Sequence, residues 1–259
     1  MLVFKGGLLM LIFVVALQSP HASKDWGRVS RLWERTLRSI CAQSSPDFRV
    51  FLVCSERPAI AFTHPALTVI EEDFPLPDPT TASRMNDKWR KLKRGLIAIR
   101  DLAPAHVMFM DADDCVHRGL AALAAAAPTA PGWNFETGYM HDEGSRWLYR
   151  LKKFDAYCGT SAIVRLGPAD FPSTLGEPND PYFILTHGHG VIGDFFRTRG
   201  TPLRTLPFLG AVYVTATGEN DSGISLGGWR GKMMLLKKLL NSRPLTPSIR
   251  RNFGLYDLR

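Results

Sequence analysis

Apolar positions in the first half of the chain follow two different patterns. Between Asp25 and Ala42, Val29, Leu32, Trp33, Leu37, Ile40 and Cys41 are spaced so as to line one face of a helix. Met85, Trp89, Leu92, Leu96, Ile99 and Ala103 repeat that stripe and predict a second helix. The runs Phe48–Cys54, Leu67–Ile70 and Val107–Met110 are short and mainly apolar, the signature of strands in a parallel sheet. Ile12, Phe13, Val14 and Val15 suit a buried first strand, although Lys5 and the apolar run Leu8–Leu17 also resemble a short signal peptide. That run falls short of the roughly 20 residues of a membrane span. Pro20 and His21 interrupt any small-residue cleavage site, so the strand is the favoured reading. Phe74–Thr81 holds three prolines and is expected to be a loop. Strand and helix thus alternate, which implies βαβ units.

The second half has a different texture. Arg118–Ala127 is an alanine-rich helix stopped by Pro128, and Trp133–Tyr139, Ala162–Arg165 and Ala211–Thr215 are expected strands. Thr186–Arg199 contains a predicted helix ending at Gly200, a residue suited to a C-cap. From Trp229 onward basic residues dominate and Asp257 is the only acid. Within Lys232–Leu240 they form a basic amphipathic segment, suited either to an anionic membrane surface or to docking on the domain. The expected organisation is one domain over residues 1–228 and a basic extension over 229–259.

Composition narrows this picture only a little. A chain of 259 residues with 45% hydrophobic and 22% charged positions can build a single large α/β core. The net charge of +8 suits an anionic small substrate, a membrane surface or nucleic acid without choosing among them. Cys41, Cys54, Cys115 and Cys158 form no Cys-x-x-Cys pair, which argues against a zinc site and for a reducing compartment. A cytoplasmic location follows as the expectation, with peripheral attachment at the inner face of the membrane through the basic tail.

The chemistry concentrates where the strand Val107–Met110 runs into Asp111, Asp113 and Asp114. Carboxylates at the C-terminal tip of a buried parallel strand stand where open α/β sheets bind ligands. Their like charges repel, and a divalent cation such as Mg²⁺ or Mn²⁺ is the simplest way to keep them ionised. The competing reading is that they only cap the following helix.

Met110-Asp-Ala-Asp-Asp114, the basic helix before it and the order of elements make the chain resemble GT-A-type glycosyltransferases, closest to family 2. The ending Ser39-Ile-Cys-Ala-Gln43 of the first helix also matches. The resemblance covers roughly Leu8 to Gly228. It implies an α/β fold, a GT-A-like Rossmann-type sandwich with a mostly parallel central sheet and a small antiparallel acceptor-side portion. It implies a nucleotide-sugar donor, a saccharide or lipid-linked acceptor hydroxyl, and Mn²⁺ or Mg²⁺ as cofactor. Asp113 would ligate the metal directly, Asp111 would contact the ribose or the metal, and Asp114 would assist or cap.

Lys88, Lys91 and Arg94 would add positive charge near the diphosphate or form a solvated helix face. The family's base-contacting acid after the second strand is matched only by Glu56. Its catalytic carboxylate has no direct counterpart. The corresponding segment reads Thr186-His-Gly-His-Gly190, so His189 or His187 would take the acceptor proton, with Asp180 and Asp194 as carboxylate competitors.

Smaller expectations attach to other segments. Cys158-Gly-Thr-Ser161 would let backbone approach a sugar, and Glu219 or Asp221 would complete the metal shell or close over the donor. Trp133, Tyr139, His141 and Trp147 would line an acceptor pocket or simply fill core. A nucleotidyltransferase and a haloacid-dehalogenase-type phosphohydrolase are the enzymatic alternatives. A basic nucleic-acid-binding domain is the non-enzymatic one, and no recognised motif supports it.

Overall fold

The computed structural model describes residues 10–179, 189–219 and 241–255. Strand β1, Leu11–Ala16, lies at the heart of a sheet because Leu11 through Val15 are completely buried. It runs parallel to β2 (Phe48–Cys54) on one side and to β4 (His106–Met110) on the other, while β3 (Leu67–Glu71) runs parallel to β2. Alternate residues of β1 feed two separate apolar layers, as strand geometry requires. Leu11, Phe13 and Val15 pack with Trp33, Leu37 and Ile40 of helix α1 (Trp26–Cys41). Ile12 and Val14 pack on the opposite face with Leu92, Leu96 and Ile99 of helix α2 (Thr81–Ile99). Both helices begin on side-chain caps: Asp25 accepts from Arg28 N at 2.9 Å and Thr80 from Ser83 N at 3.2 Å.

The protein is a mixed α/β structure built on two mixed sheets. After helix α3 (Leu120–Ala126), the first sheet is completed by β6 (Gly132–Asn134), β9 (Ala162–Val164) and β10 (Arg204–Thr205). Its order is β10-β6-β9-β4-β1-β2-β3, with β9 antiparallel to both of its neighbours. The second sheet has five strands in the order β12-β8-β7-β11-β5. These are β5 (Cys115–Val116), β7 (Thr137–Asp142), β8 (Trp147–Lys152), β11 (Ala211–Thr215) and β12 (Ser242–Pro244). It is larger than the small antiparallel portion expected, and its β7–β11 pair is parallel.

Two further differences from the sequence expectations have local causes. The run Trp133–Tyr139 is not one strand. It breaks at Phe135 and Glu136, where Phe135 N donates to Ser161 O at 2.8 Å and Glu136 O accepts from Phe154 N at 3.1 Å. The chain thereby passes from the first sheet into the second. Residues 241–255 are part of the body, because β12 pairs with β8 and helix α5 (Pro247–Phe253) buries Phe253 against the second sheet. A boundary at residue 228 therefore does not detach this segment. Helix α4 (Ile192–Thr198) follows a 3-10 turn at His189–Val191; its C-cap is Arg199, and Gly200 just beyond has a φ of +79°, the left-handed conformation glycine favours after a helix. The segment Lys232–Leu240 lies outside the described residues. Among those described, no helix is long and apolar enough to cross a membrane.

Candidate functional site

Asp111–Asp114 form the corner at which the chain leaves β4 of one sheet and enters β5 of the other. The parallel strands stand in the order β3-β2-β1-β4, so chain direction across the sheet reverses between β1 and β4. A cavity of about 330 Å³ opens there, beyond the C-terminal ends of both strands. Its wall includes Ala16, Leu17 and Gln18 after β1, Arg84, Met85, Asp87 and Lys88 from α2, and Asp111–Asp113 after β4. Gly159, Tyr157, His189, Tyr213 and Glu219 complete much of the remainder. In open α/β sheets this crevice is the usual ligand site.

The three aspartates have separate environments. Asp114 is fully buried and acts as a bracket, neither facing the cavity wall nor capping a helix. Its Oδ2 accepts from Thr160 Oγ1 at 2.6 Å and Cys158 Sγ at 3.1 Å, and its Oδ1 accepts from Val214 N at 3.1 Å. Burial and the neighbouring carboxylates push its pKa well above the ordinary range. Asp111 pairs with Lys88, and its own N–H donates to Thr160 Oγ1 at 3.1 Å. Burial works against the Asp111 charge, yet the Lys88 ammonium outweighs it and holds the carboxyl below its usual range. The Lys88 ammonium is favoured in return by Asp111, against burial. At Asp113, burial and the Asp111 charge raise the carboxyl to about 7, offset in part by a backbone hydrogen bond, Arg35 and Lys88. Two half-buried carboxyls this close each disfavour the other's charge.

Gly159 sets the geometry of Asp111. A β-carbon at that position would stand 2.7 Å from Asp111 Oδ2, and the Gly159 backbone hydrogen bond favours the charged form. The small residues of Cys158–Ser161 therefore make room for a carboxylate, while Cys158 and Thr160 anchor Asp114.

Asp111, Asp113, Lys88 and His189 come together in the cavity wall, and Glu219 lies on the same wall. His189 Nδ1 lies 2.5 Å from Asp155 O. A carbonyl only accepts, so Nδ1 carries the hydrogen and Nε2 of the neutral ring is the accepting nitrogen. Glu219 is a latch: it accepts from Lys24 N at 3.1 Å, Asp25 N at 3.0 Å and Gln18 Nε2 at 3.3 Å.

Other expected site residues stand elsewhere. Lys91 is fully buried and outside the cavity wall, donating to Leu17 O at 2.9 Å and Asp87 Oδ2 at 2.6 Å. Glu56 is exposed and outside the cavity wall, because the turn after β2 projects into solvent. Arg94 is paired with Glu72 and Asp194 with Arg197. Trp133 and His141 are buried in the core, Tyr139 packs edge-on against Phe253, and the exposed Trp147 is outside the cavity wall. His187, Asp180 and Asp221 lie outside the described residues.

Tyr157, Asp87, Arg84 and Gln18 are wall residues that sequence reasoning missed. The i,i+4 pair Asp87–Lys91 was readable as a helical ion pair. Its burial came only from the packing of α2 on β1.

Among the described residues, no group of three or more His, Cys, Asp or Glu side chains is arranged to hold a metal ion. Asp111 and Asp113 supply oxygen donors only. That donor set fits Mg²⁺ or Mn²⁺ shared with a phosphate ligand, since such ions are commonly held by one or two carboxylates plus phosphate and water. It does not fit a dedicated protein cage. No protein-family model matches the chain, and no curated protein matches it.

Proposed function

We propose that the protein is a glycosyltransferase that takes a sugar from a nucleotide-sugar donor and uses Mg²⁺ or Mn²⁺. The observation carrying this reading is the placement of Asp111, Asp113 and Lys88 around one cavity at the β1/β4 reversal point. The β3-β2-β1-β4 order of parallel strands supports the GT-A-like form of the fold. Asp111 and Asp113 would hold the cation, which when bound neutralises charge on the departing nucleoside diphosphate. Lys88 adds a fixed positive charge to the same region, and Gly159 keeps Asp111 turned toward it. His189 Nε2 would accept the proton of the attacking hydroxyl, with Asp155 O orienting the ring. Tyr157, 48% exposed yet part of the wall, offers a ring face at the acceptor side.

The test is turnover of a panel of nucleotide-sugars with Mn²⁺, read as release of nucleoside diphosphate. Wild type should release it from at least one donor. His189→Ala should keep donor binding and lose most of that release, because only the proton acceptor is removed. Absence of release from every donor, with added saccharide acceptors present, would count against the transferase reading. A phosphohydrolase would instead release inorganic phosphate from simple esters.

A further inference from the structure

Asp87 stands out among the wall residues because half of its carboxylate is committed and half is not. Its Oδ2 is held by the buried Lys91 ammonium at 2.6 Å, and Lys91 is itself fixed to Leu17 O at 2.9 Å. Its Oδ1 is buried and has no hydrogen-bond partner among the described residues. The residue is only 5% exposed and lines the cavity. Native proteins seldom leave a buried carboxylate oxygen unpaired, and an exception beside a cavity points to a missing donor.

We propose that Asp87 reads the nucleobase of the donor, accepting the single imino N–H of a uracil or thymine ring. The inference rests on the nucleotide-sugar reading above and adds the class of nucleotide. Asp87 precedes Lys88, which pairs with Asp111, so it borders the diphosphate region on the same helix. The wall it belongs to offers the apolar Ala16, Leu17 and Met85 for the face of a flat ring, beside the polar Gln18, Arg84 and Lys88. A carboxylate only accepts, so the ligand must bring the hydrogen. Guanine offers an N–H and an amino group side by side and calls for two oxygens, one of which Lys91 already occupies. Cytosine and adenine place a ring acceptor next to their amino group, and that lone pair would face Oδ1. Uracil and thymine present one N–H between two carbonyls, the pattern that a single oxygen satisfies.

The experiment is calorimetric binding of UDP, TDP, CDP, GDP and ADP, with Mn²⁺, to wild type and Asp87→Asn. Wild type should bind UDP or TDP tightest. In Asp87→Asn the side-chain oxygen should stay on Lys91 and turn the amino group toward the cavity. UDP and TDP should then weaken roughly 10- to 100-fold, while CDP, whose ring nitrogen accepts, should gain on them. Inorganic pyrophosphate with Mn²⁺ should bind both proteins equally, which separates loss of base reading from loss of fold. The 2′-deoxy form of UDP should lose as much as UDP itself.

Tightest wild-type binding of GDP, ADP or CDP would overturn the inference, as would an unchanged base preference in Asp87→Asn. A loss confined to the ribo form would also overturn it, by assigning Asp87 to the ribose. If wild type binds pyrophosphate and all five diphosphates alike, base reading fails while the diphosphate site stands. If it binds none of them, the nucleotide-sugar reading fails and this inference with it.

Discussion

Asp113 and Gly159 carry the sharpest expectations at the scale of single residues. The Asp113 carboxyl is raised to about 7 from an unfolded value near 3.8, so the native state binds its proton more readily than the unfolded chain. That contribution to stability is fully present below the unfolded value and is lost as pH rises through about 7. In metal-free protein, Asp113→Asn should therefore raise the melting temperature relative to wild type at pH 8 and have little effect at pH 4. Stabilisation by Mn²⁺ should show the opposite trend, growing from pH 6 to pH 8 as the carboxyl ionises. Gly159→Ala tests orientation separately. Its new β-carbon would sit 2.7 Å from Asp111 Oδ2, and a carboxylate end can swing away. The melting temperature should barely move, while Mn²⁺-dependent diphosphate binding should fall at least about tenfold, about 1.4 kcal/mol.

At the scale of elements, the parts nearest the site were those most legible in the chain. α1, β2, α2 and β4 show clear periodicity or apolar runs because each packs against β1 or its neighbours in the parallel region. Strand β8 was not legible: its buried Leu148 and Leu151 are three residues apart, a spacing that signals neither strand alternation nor a full helical stripe. The break between β6 and β7 was hidden because the contacts that make it come from Ser161 and Phe154, distant in sequence. Lys91 was misplaced for a related reason. A lysine on a basic helix reads as solvated or ligand-facing, whereas here the close seating of α2 turns it inward. Gly95 permits that seating, since a β-carbon there would stand 2.5 Å from Val14 Cγ1. Gly95→Ala should gain up to about 1 kcal/mol of helix propensity and lose about 1–3 kcal/mol to overpacking. The second effect should win, and urea denaturation should show a net loss of stability.

For the whole molecule, the two sheets meet at the acidic corner, and the segment after residue 241 helps hold the second sheet in place. Phe253 is 3% exposed between His117 and Tyr139, with ring centroids 5.3 and 5.8 Å away. Phe253→Ala should cost about 3–5 kcal/mol in chemical denaturation, far more than the truncation of a loose tail. The position of the acids after an apolar strand was legible in sequence. Their division of labour was not, because Asp114 owes its bracket role to Thr160, Cys158 and Val214.

Asp111 and Asp113 are proposed to share a cation with a diphosphate at this corner. Titration calorimetry of inorganic pyrophosphate into wild type, with and without Mn²⁺, tests this sharing most directly when repeated on Asp113→Asn. Metal-dependent binding in wild type and its loss in the variant are the predicted results. Equal binding by both proteins, or binding indifferent to Mn²⁺, would contradict the account.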